Sequence, residues 1–175
     1  MANREALKEL QTRLAARLQS AKAEGVAGAS WLAVEAGGQG YLLPLAQAGE
    51  IFPWAGVQPV PYTQPWFLGV ANLRGTLSGV ADLAGLLTAL PPRPEQALLE
   101  ASLLTLNPAL EVNAALLVDR LVGLRAAQAF VASEAPQGEA PAYWGSTYID
   151  AQGARWQELN LQALSQHPAF LGIGA

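Results

Sequence analysis

The chain has no cysteine, which excludes disulfides, iron–sulfur clusters and thiolate zinc sites. A single histidine, His167, excludes histidine-rich metal sites as well. Charge is also scarce: 14% of residues are charged, against 51% that are apolar. A disordered chain shows the opposite balance, so these 175 residues are expected to fold. Lysine is missing from Gly25 onward, where five arginines face eleven acids and leave a net charge of −6. A nucleic-acid backbone is held by clustered lysine and arginine, so nucleic-acid binding is not expected. The lack of cysteine fits a reducing compartment.

Long apolar runs are missing too. Glu5 and Glu9 interrupt the N-terminal segment, which therefore does not read as a signal peptide. The longest charge-poor stretch, Ile51 to Leu73, is broken by Pro53, Pro59, Pro61 and Pro65. Membrane insertion is not expected, and the cytoplasm is the default compartment. Catalytic signatures are equally sparse. The chain has no phosphate loop and no dinucleotide fingerprint, and Gly38-Gln39-Gly40 reads as a hairpin turn. Gly75-Thr76-Leu77-Ser78-Gly79 has the wrong spacing for a nucleophile elbow. His167 lies in a Ser-Gln-His-Pro run and is expected to be solvated or to cap a helix. The acids are scattered. No catalytic residue, metal or cofactor is expected, and nothing here argues for an enzyme.

What the chain does contain begins with a helix over residues 3–24. Leu7, Leu10, Leu14 and Leu18 recur at spacings of three and four and form one stripe. Alanine, glutamine, lysine, arginine and glutamate fill the rest, and Glu9–Arg13 is a favourable pair one turn apart. Gly25 and Gly28 are expected to end the helix. Its leucines must pack either on the chain's own domain or on a partner, because an isolated helix is marginal in water.

Beyond Gly28 the pattern changes to short strands. Ser30–Glu35 and Tyr41–Leu45 flank Gly37-Gly38-Gln39-Gly40 as a hairpin. The proline-rich 53–65 segment is expected to be ordered and extended. Thr76–Asp82 reads as a strand and Leu83–Thr88 as a helical turn. Pro91-Pro92-Arg93-Pro94 reads as a stiff linker and a subdomain boundary. Apolar segments follow at Leu98–Leu106, Val112–Leu121 and Leu124–Val131, then a loop at Ala132–Ala142. Tyr143–Ala151 and Arg155–Leu161 flank Gln152-Gly153 as a last hairpin. Many strands at short intervals predict small barrels rather than βαβ units.

One segment is unusual: Trp66-Phe67-Leu68-Gly69-Val70-Ala71-Asn72-Leu73-Arg74-Gly75. Arg74 is the only charge between Glu50 and Asp82. A buried or half-buried guanidinium needs a carboxylate, and Glu50 and Asp82 are the nearest along the chain. The pair would be a structural clamp, a partner-facing feature together with Asn72, or both. Gly69 and Gly75 fit close backbone approach or positive φ.

These residues carry a resemblance. Gly49-Glu50-Ile51, Val57-Gln58-Pro59-Val60-Pro61, the Phe67–Gly75 run with its Asn-Leu-Arg-Gly element, and Val80-Ala81-Asp82-Leu83 resemble CheW-like coupling domains in order and spacing. Ala115–Leu124, with its Val118-Asp119 pair, and Glu158-Leu159-Asn160-Leu161 followed by Leu164 resemble later strands of the same family. The likeness spans residues 28–170, after an N-terminal helical extension over 1–27.

The resemblance implies a mainly β fold: two small five-stranded SH3-like β-barrels packed together, with an N-terminal amphipathic helix and a short C-terminal helix. The first barrel is expected mainly over 28–90 and the second over 95–158, divided near Pro91–Pro94. It further implies a monomeric, non-catalytic adaptor. Its partners would be the regulatory domain of a CheA-type histidine kinase and a chemoreceptor signalling tip lying between the barrels. Glu50 and Arg74 take the positions of the family's acid–arginine pair, and Gly69, Asn72 and Gly75 would shape the groove. Gly79 stands where the family usually has proline, and Ala48 where a larger aliphatic is common. With the helical extension, these departures resemble the PilI-type members of type IV pilus (twitching) systems.

A rival reading takes the five tryptophans as a stacking platform for a small ligand or glycan. Trp54 and Trp66 lie near the proline-rich connection, Trp144 and Trp156 in the last hairpin. Packing in the core or at its rim is the simpler role for them.

Overall fold

The computed structural model describes residues 2–24, 30–91 and 93–175, with the side chains of residues 4–17 described within the first of these segments. The good helix formers at the N-terminus fold as α1 (Ala2–Glu24). Gly25 and Gly28, expected to end it, and the Leu18 side chain lie outside the described residues. The helix packs on its own domain, but not through the whole leucine stripe. Leu14 is buried, whereas Leu10 is 45% exposed and Gln11 is buried in its place. Gln11, Leu14 and Ala15 share one narrow face, and Leu10 is turned about 100° away from Gln11. Burying one leucine contributes about 1.5–3 kcal/mol; Gln11 adds a hydrogen bond from its Nε2 to Ser102 Oγ at 2.5 Å.

Among the described residues eleven strands follow: β1 (Trp31–Ala36), β2 (Gln39–Pro44), β3 (Ala48–Pro53), β4 (Phe67–Leu73), β5 (Thr76–Asp82), β6 (Ser102–Leu106), β7 (Ala114–Val118), β8 (Arg120–Arg125), β9 (Phe130–Glu134), β10 (Trp144–Asp150) and β11 (Arg155–Leu159). Among the same residues three short α-helices accompany them: α2 (Leu83–Thr88) between β5 and β6, and α3 (Leu161–Gln166) and α4 (Pro168–Leu171) after β11. The expected hairpins β1–β2 and β10–β11 form, as do the β5 strand and the helical turn after it.

The fold is mainly β with two sheets, but the strands sort differently from the sequence expectation. A six-stranded sheet runs β8-β1-β2-β11-β10-β9, and a five-stranded sheet runs β3-β6-β7-β5-β4. Neither order closes on itself, so each is an open, curled sheet in its hydrogen bonding. The division is not at Pro91–Pro94. β6 and β7 follow that linker yet join β3 and β5. The chain leaves the first sheet after β2 and returns to it only at β8. Two parallel pairs, β2 with β11 and β5 with β7, hold the arrangement together. Such pairings join segments far apart in the chain, and local turn signals carry no information about them.

Both faces of β1 are covered over Trp31–Val34, which accounts for that run of four apolar residues. Leu32 and Val34 enter the large core shared by the sheets, with Leu43, Leu104, Leu116 and Val118. Trp31 and Ala33 face a smaller cluster with Leu42 and Trp156. The five-stranded sheet has its own second cluster around Val80, Leu103 and Leu117, against which Trp54 packs. The proline-rich connection is ordered: Gln58 exchanges both backbone hydrogen bonds with Val70 of β4, at 2.8 and 2.9 Å. Its far end is held by the C-terminus, with Gln64 N donating to Ile173 O at 2.7 Å and Ala175 N donating to Tyr62 O at 2.9 Å.

Candidate functional site: the β4–β5 turn and its groove

β4 and β5 are joined by two residues, Arg74 and Gly75, between the paired Leu73 and Thr76. Both have positive φ, 52° and 82°, as a primed hairpin turn requires. Glycine adopts this conformation freely, but arginine does so at a cost of order 1–3 kcal/mol. Asn72 supports the turn: its Oδ1 accepts a hydrogen bond from Gly75 N at 2.8 Å. The oxygen of Asn72 is thus engaged within its own hairpin. Gly69 lies further back on β4 with φ 141°, and a Cβ there would stand 2.2 Å from Gln58 O. Both readings of this glycine apply, since the proline-rich segment crosses directly over it.

The turn presents Arg74 to β3, where its Nη1 lies 2.9 Å from Glu50 Oε1. Glu50 is positioned by its own backbone, its N–H donating to Thr105 Oγ1 at 2.7 Å. The Arg74 side chain is 75% exposed and that of Glu50 33%. The apolar neighbours in sequence predict a buried or half-buried guanidinium. Placing Arg74 at the tip of a two-residue turn lifts it clear of them, and the strand residues before it turn inward instead. An exposed pair of this kind contributes about 0–1 kcal/mol, so stability alone does not explain a strained arginine at this point.

Glu50 and Arg74 line an open groove of about 450 Å³, with Phe52, Leu73, Thr105 and Asn113 among its walls. Asn72 lines a neighbouring groove of about 440 Å³ with Gln58, Val70 and Leu103. The turn is therefore a ridge between two concave surfaces. Gly69 and Gly75 line neither one and act through backbone shape.

Asp82 belongs elsewhere, which corrects its pairing with Arg74. Arg93 Nη2 donates to Asp82 Oδ1 at 2.7 Å, and Arg93 Nη1 pairs with Asp119 Oδ1. Asp119 Oδ2 accepts from Gly37 N at 2.8 Å. Asp82 ends β5 and Gly37 turns the β1–β2 hairpin, so Arg93 links the two sheets. Burial pushes the Asp82 carboxyl above its ordinary range; Arg93 and the Gly85 and Ala84 amides offset this only in part. Sequence reasoning missed Arg93 because it sits in the linker, although an arginine among three prolines was itself a signal.

The remaining polar and aromatic candidates are structural. His167 Nδ1 accepts from Ala169 N at 3.1 Å and caps α4. Trp31 and Trp156 are buried, donating to Glu158 Oε2 at 2.6 Å and to Asp150 Oδ2 at 3.1 Å. Trp66 stacks on Phe170, Trp144 packs edge-on to Tyr41, and Trp54 lies against the cluster of the five-stranded sheet. Divided among separate clusters, they form no common platform. Among the described residues no group of three or more histidine, aspartate or glutamate side chains is gathered to hold a metal. No described helix is long and apolar enough to cross a membrane.

Two open sheets thus share one core, and an acid–arginine pair lies beside a groove of the five-stranded sheet. Residues 30–169 match the CheW-like domain family, and the chain belongs to it. Over 163 residues it is 31% identical to Protein PilI of Pseudomonas aeruginosa, an alignment covering 92% of this chain and 88% of that protein. Its fold is similar to that of the scaffolding protein TtCheW from Thermoanaerobacter tengcongensis. There the TM-score is 0.64 at 16% identity, over 82% of this chain and 93% of the other.

Proposed function

We propose that the chain is a non-catalytic scaffold that couples a chemoreceptor signalling tip to a CheA-type histidine kinase, in a chemosensory pathway controlling type IV pilus twitching motility. The observation that carries this reading is the exposed Arg74–Glu50 pair on an open groove of a CheW-like domain. Arginine presented in a strained turn, with its charge only partly neutralised, suits orientation of a partner more than stability. Asn72 and Gly75 hold that turn in place, and Gly69 lets the proline-rich segment cross β4 beside it. In this reading the chain meets both partners in the cytoplasm. Apolar contact supplies most of the binding and the arginine sets its geometry.

Co-purification with the kinase's regulatory domain, with and without a soluble receptor-tip fragment, tests this. A ternary complex that weakens on Arg74→Ala, with an unchanged melting temperature, is the expected result. Failure of the folded wild-type chain to bind either partner overturns it.

A further inference from the structure

The shared core is mostly aliphatic, but on β2, β11 and β10 one row of it is polar. Tyr41 of β2 pairs with Gln157 of β11, and Gln157 with Thr147 of β10, so three polar side chains stand side by side across adjacent strands. Gln39 and Arg155 lie two residues before Tyr41 and Gln157 and therefore on the same face. With Trp144 and with Thr88 of α2 they line a pocket of about 260 Å³. α1 covers the seam between β3 and β8, so this pocket lies on other strands.

Every other polar side chain here has an internal partner. Gln157, 4% exposed, donates to Gly145 O and Glu158 O at 2.8 Å and so serves the stretch of β10 where the register shifts. Thr147 Oγ1 donates to Gln157 Oε1 at 2.9 Å, Thr88 Oγ1 to Ala84 O at 2.6 Å, and Gln39 Nε2 to Gly40 O at 3.0 Å. Tyr41 is the exception. It is 1% exposed, yet its hydroxyl makes no hydrogen bond among the described residues. Nor is that hydroxyl sealed in the interior, so it opens on the pocket. Phenylalanine would fill the same place without withdrawing an unbonded hydroxyl from water.

The lining defines what the pocket takes. Thr147, Thr88 and Gln39 already use their donors, so each offers an oxygen that accepts. Tyr41 offers a donor: burial, and then Tyr143, raise its pKa, and the phenol stays protonated. The charge of Arg155 is matched by Glu134, and no carboxylate is among the lining residues, so neither an anion nor a cation is favoured. Trp144, edge-on to Tyr41, supplies one apolar wall rather than part of a shared platform. Acceptors and a donor beside an indole suit a molecule with several hydroxyls and one C–H face. Drug-sized ligands occupy about 300–1,000 Å³, so this smaller space suits a single ring.

We propose that this pocket binds a small neutral polyol the size of one sugar ring, with the Tyr41 hydroxyl as its buried hydrogen-bond donor. The pocket shares no lining residue with the two grooves beside Arg74, so the proposal does not rest on the coupling reading.

The test uses the full chain with methyl α-glucopyranoside, myo-inositol and maltose as probes, read by saturation-transfer NMR. A ligand of about twelve non-hydrogen atoms in an open pocket is expected to show a Kd of order 1 mM. Tyr41→Phe removes only the hydroxyl; it should weaken binding about tenfold without lowering the melting temperature. Thr88→Val, on α2, should weaken it as well. Binding of the single rings with exclusion of maltose assigns a free metabolite, and equal binding of maltose assigns the end of a glycan; both uphold the proposal. It is overturned if none of the probes transfers saturation at about 50 mM, or if Tyr41→Phe and Thr88→Val bind as the wild type does. Inorganic phosphate binding in their place, and lost on Arg155→Ala, overturns it by making the site anionic. None of these outcomes bears on capture of the kinase domain, so the two readings fail separately.

Discussion

Arg93 donates to Asp82 at 2.7 Å from a linker that belongs to neither sheet, and only 4% of the Asp82 side chain is exposed. The same guanidinium meets Asp119, which in turn holds Gly37. One cation thus stands between two carboxylates, of which Asp119 lies where the chain crosses from β7 of one sheet to β8 of the other. Removing it leaves withdrawn charge without compensation, and breaking a buried pair costs about 3–5 kcal/mol. Arg93→Ala should lower stability by that order, read as a fall in the urea midpoint. Asp82→Asn, which keeps a hydrogen-bonding side chain, should cost clearly less.

The raised pKa of Asp82 makes a prediction of sign. In the folded state the carboxyl holds its proton to a higher pH than in the unfolded chain, because burial penalises its charged form. Between the ordinary carboxylate pKa and the raised one, the folded state binds more protons than the unfolded state. Stability from this group therefore falls as pH rises through that window. Denaturation midpoints measured across it should show this slope in the wild type and lose it in Asp82→Asn.

Asp150 has the opposite sign. Hydrogen bonds from the Trp156 indole and then from Ala154 N–H hold its carboxyl below the usual range. Its contribution is present above the ordinary carboxylate pKa and is lost as pH falls through the lowered one. Asp150→Asn should flatten the acid limb of the stability profile, while Asp82→Asn should leave that limb in place.

Arg74 separates stability from recognition. Its φ of 52° suits glycine better than arginine, and its ion pair is exposed. Arg74→Gly should not lower stability, because relief of the strained φ offsets the loss of an exposed pair worth about 0–1 kcal/mol. The same substitution should weaken capture of the kinase regulatory domain or receptor tip about tenfold, mainly in the association rate and more so at low salt. Calorimetric melting and surface-binding kinetics on one preparation read both effects. An equal loss in both would make the arginine structural.

Gly69 is the converse case. Alanine there must adopt φ 141° and would place its Cβ against Gln58 O. The strain and the clash together should cost about 2–3 kcal/mol. Because the proline-rich segment is the part displaced, limited proteolysis should cut near residues 54–60 in Gly69→Ala before the rest of the fold is lost.

Local elements were legible in the sequence because their causes are local. Glycine turns between short strand-like runs marked β1–β2 and β10–β11. The run before Leu83 marked β5, and alanine-rich composition marked α1. Asn72, Arg74 and Gly75 were recognisable as candidates, since a lone charge in an apolar stretch is conspicuous without any fold, but the two-residue turn was not read. The exposure of Arg74 was not legible. Hydropathy averages over neighbours, and a two-residue turn lets one side chain escape the environment of the ten around it. The interchange of Leu10 and Gln11 had the same origin: a helix offers several leucine faces, and only the shape of the seam selects one.

The sequence by itself determined the β1–β2 and β10–β11 hairpins, the β5 strand, the scarcity of reactive side chains and the position of the acid–arginine pair along the chain, whereas residues 132–134, read as loop, pair as part of β9. The tertiary structure alone decided that β6 and β7 join the sheet of β3 rather than that of β8, that Asp82 meets Arg93 rather than Arg74, and that the tryptophans disperse among separate clusters. The division follows from range. Backbone preferences and turns act over a few residues, whereas sheet order, ion-pair partners and burial depend on which distant segments share one core, and that is settled only when the whole chain packs.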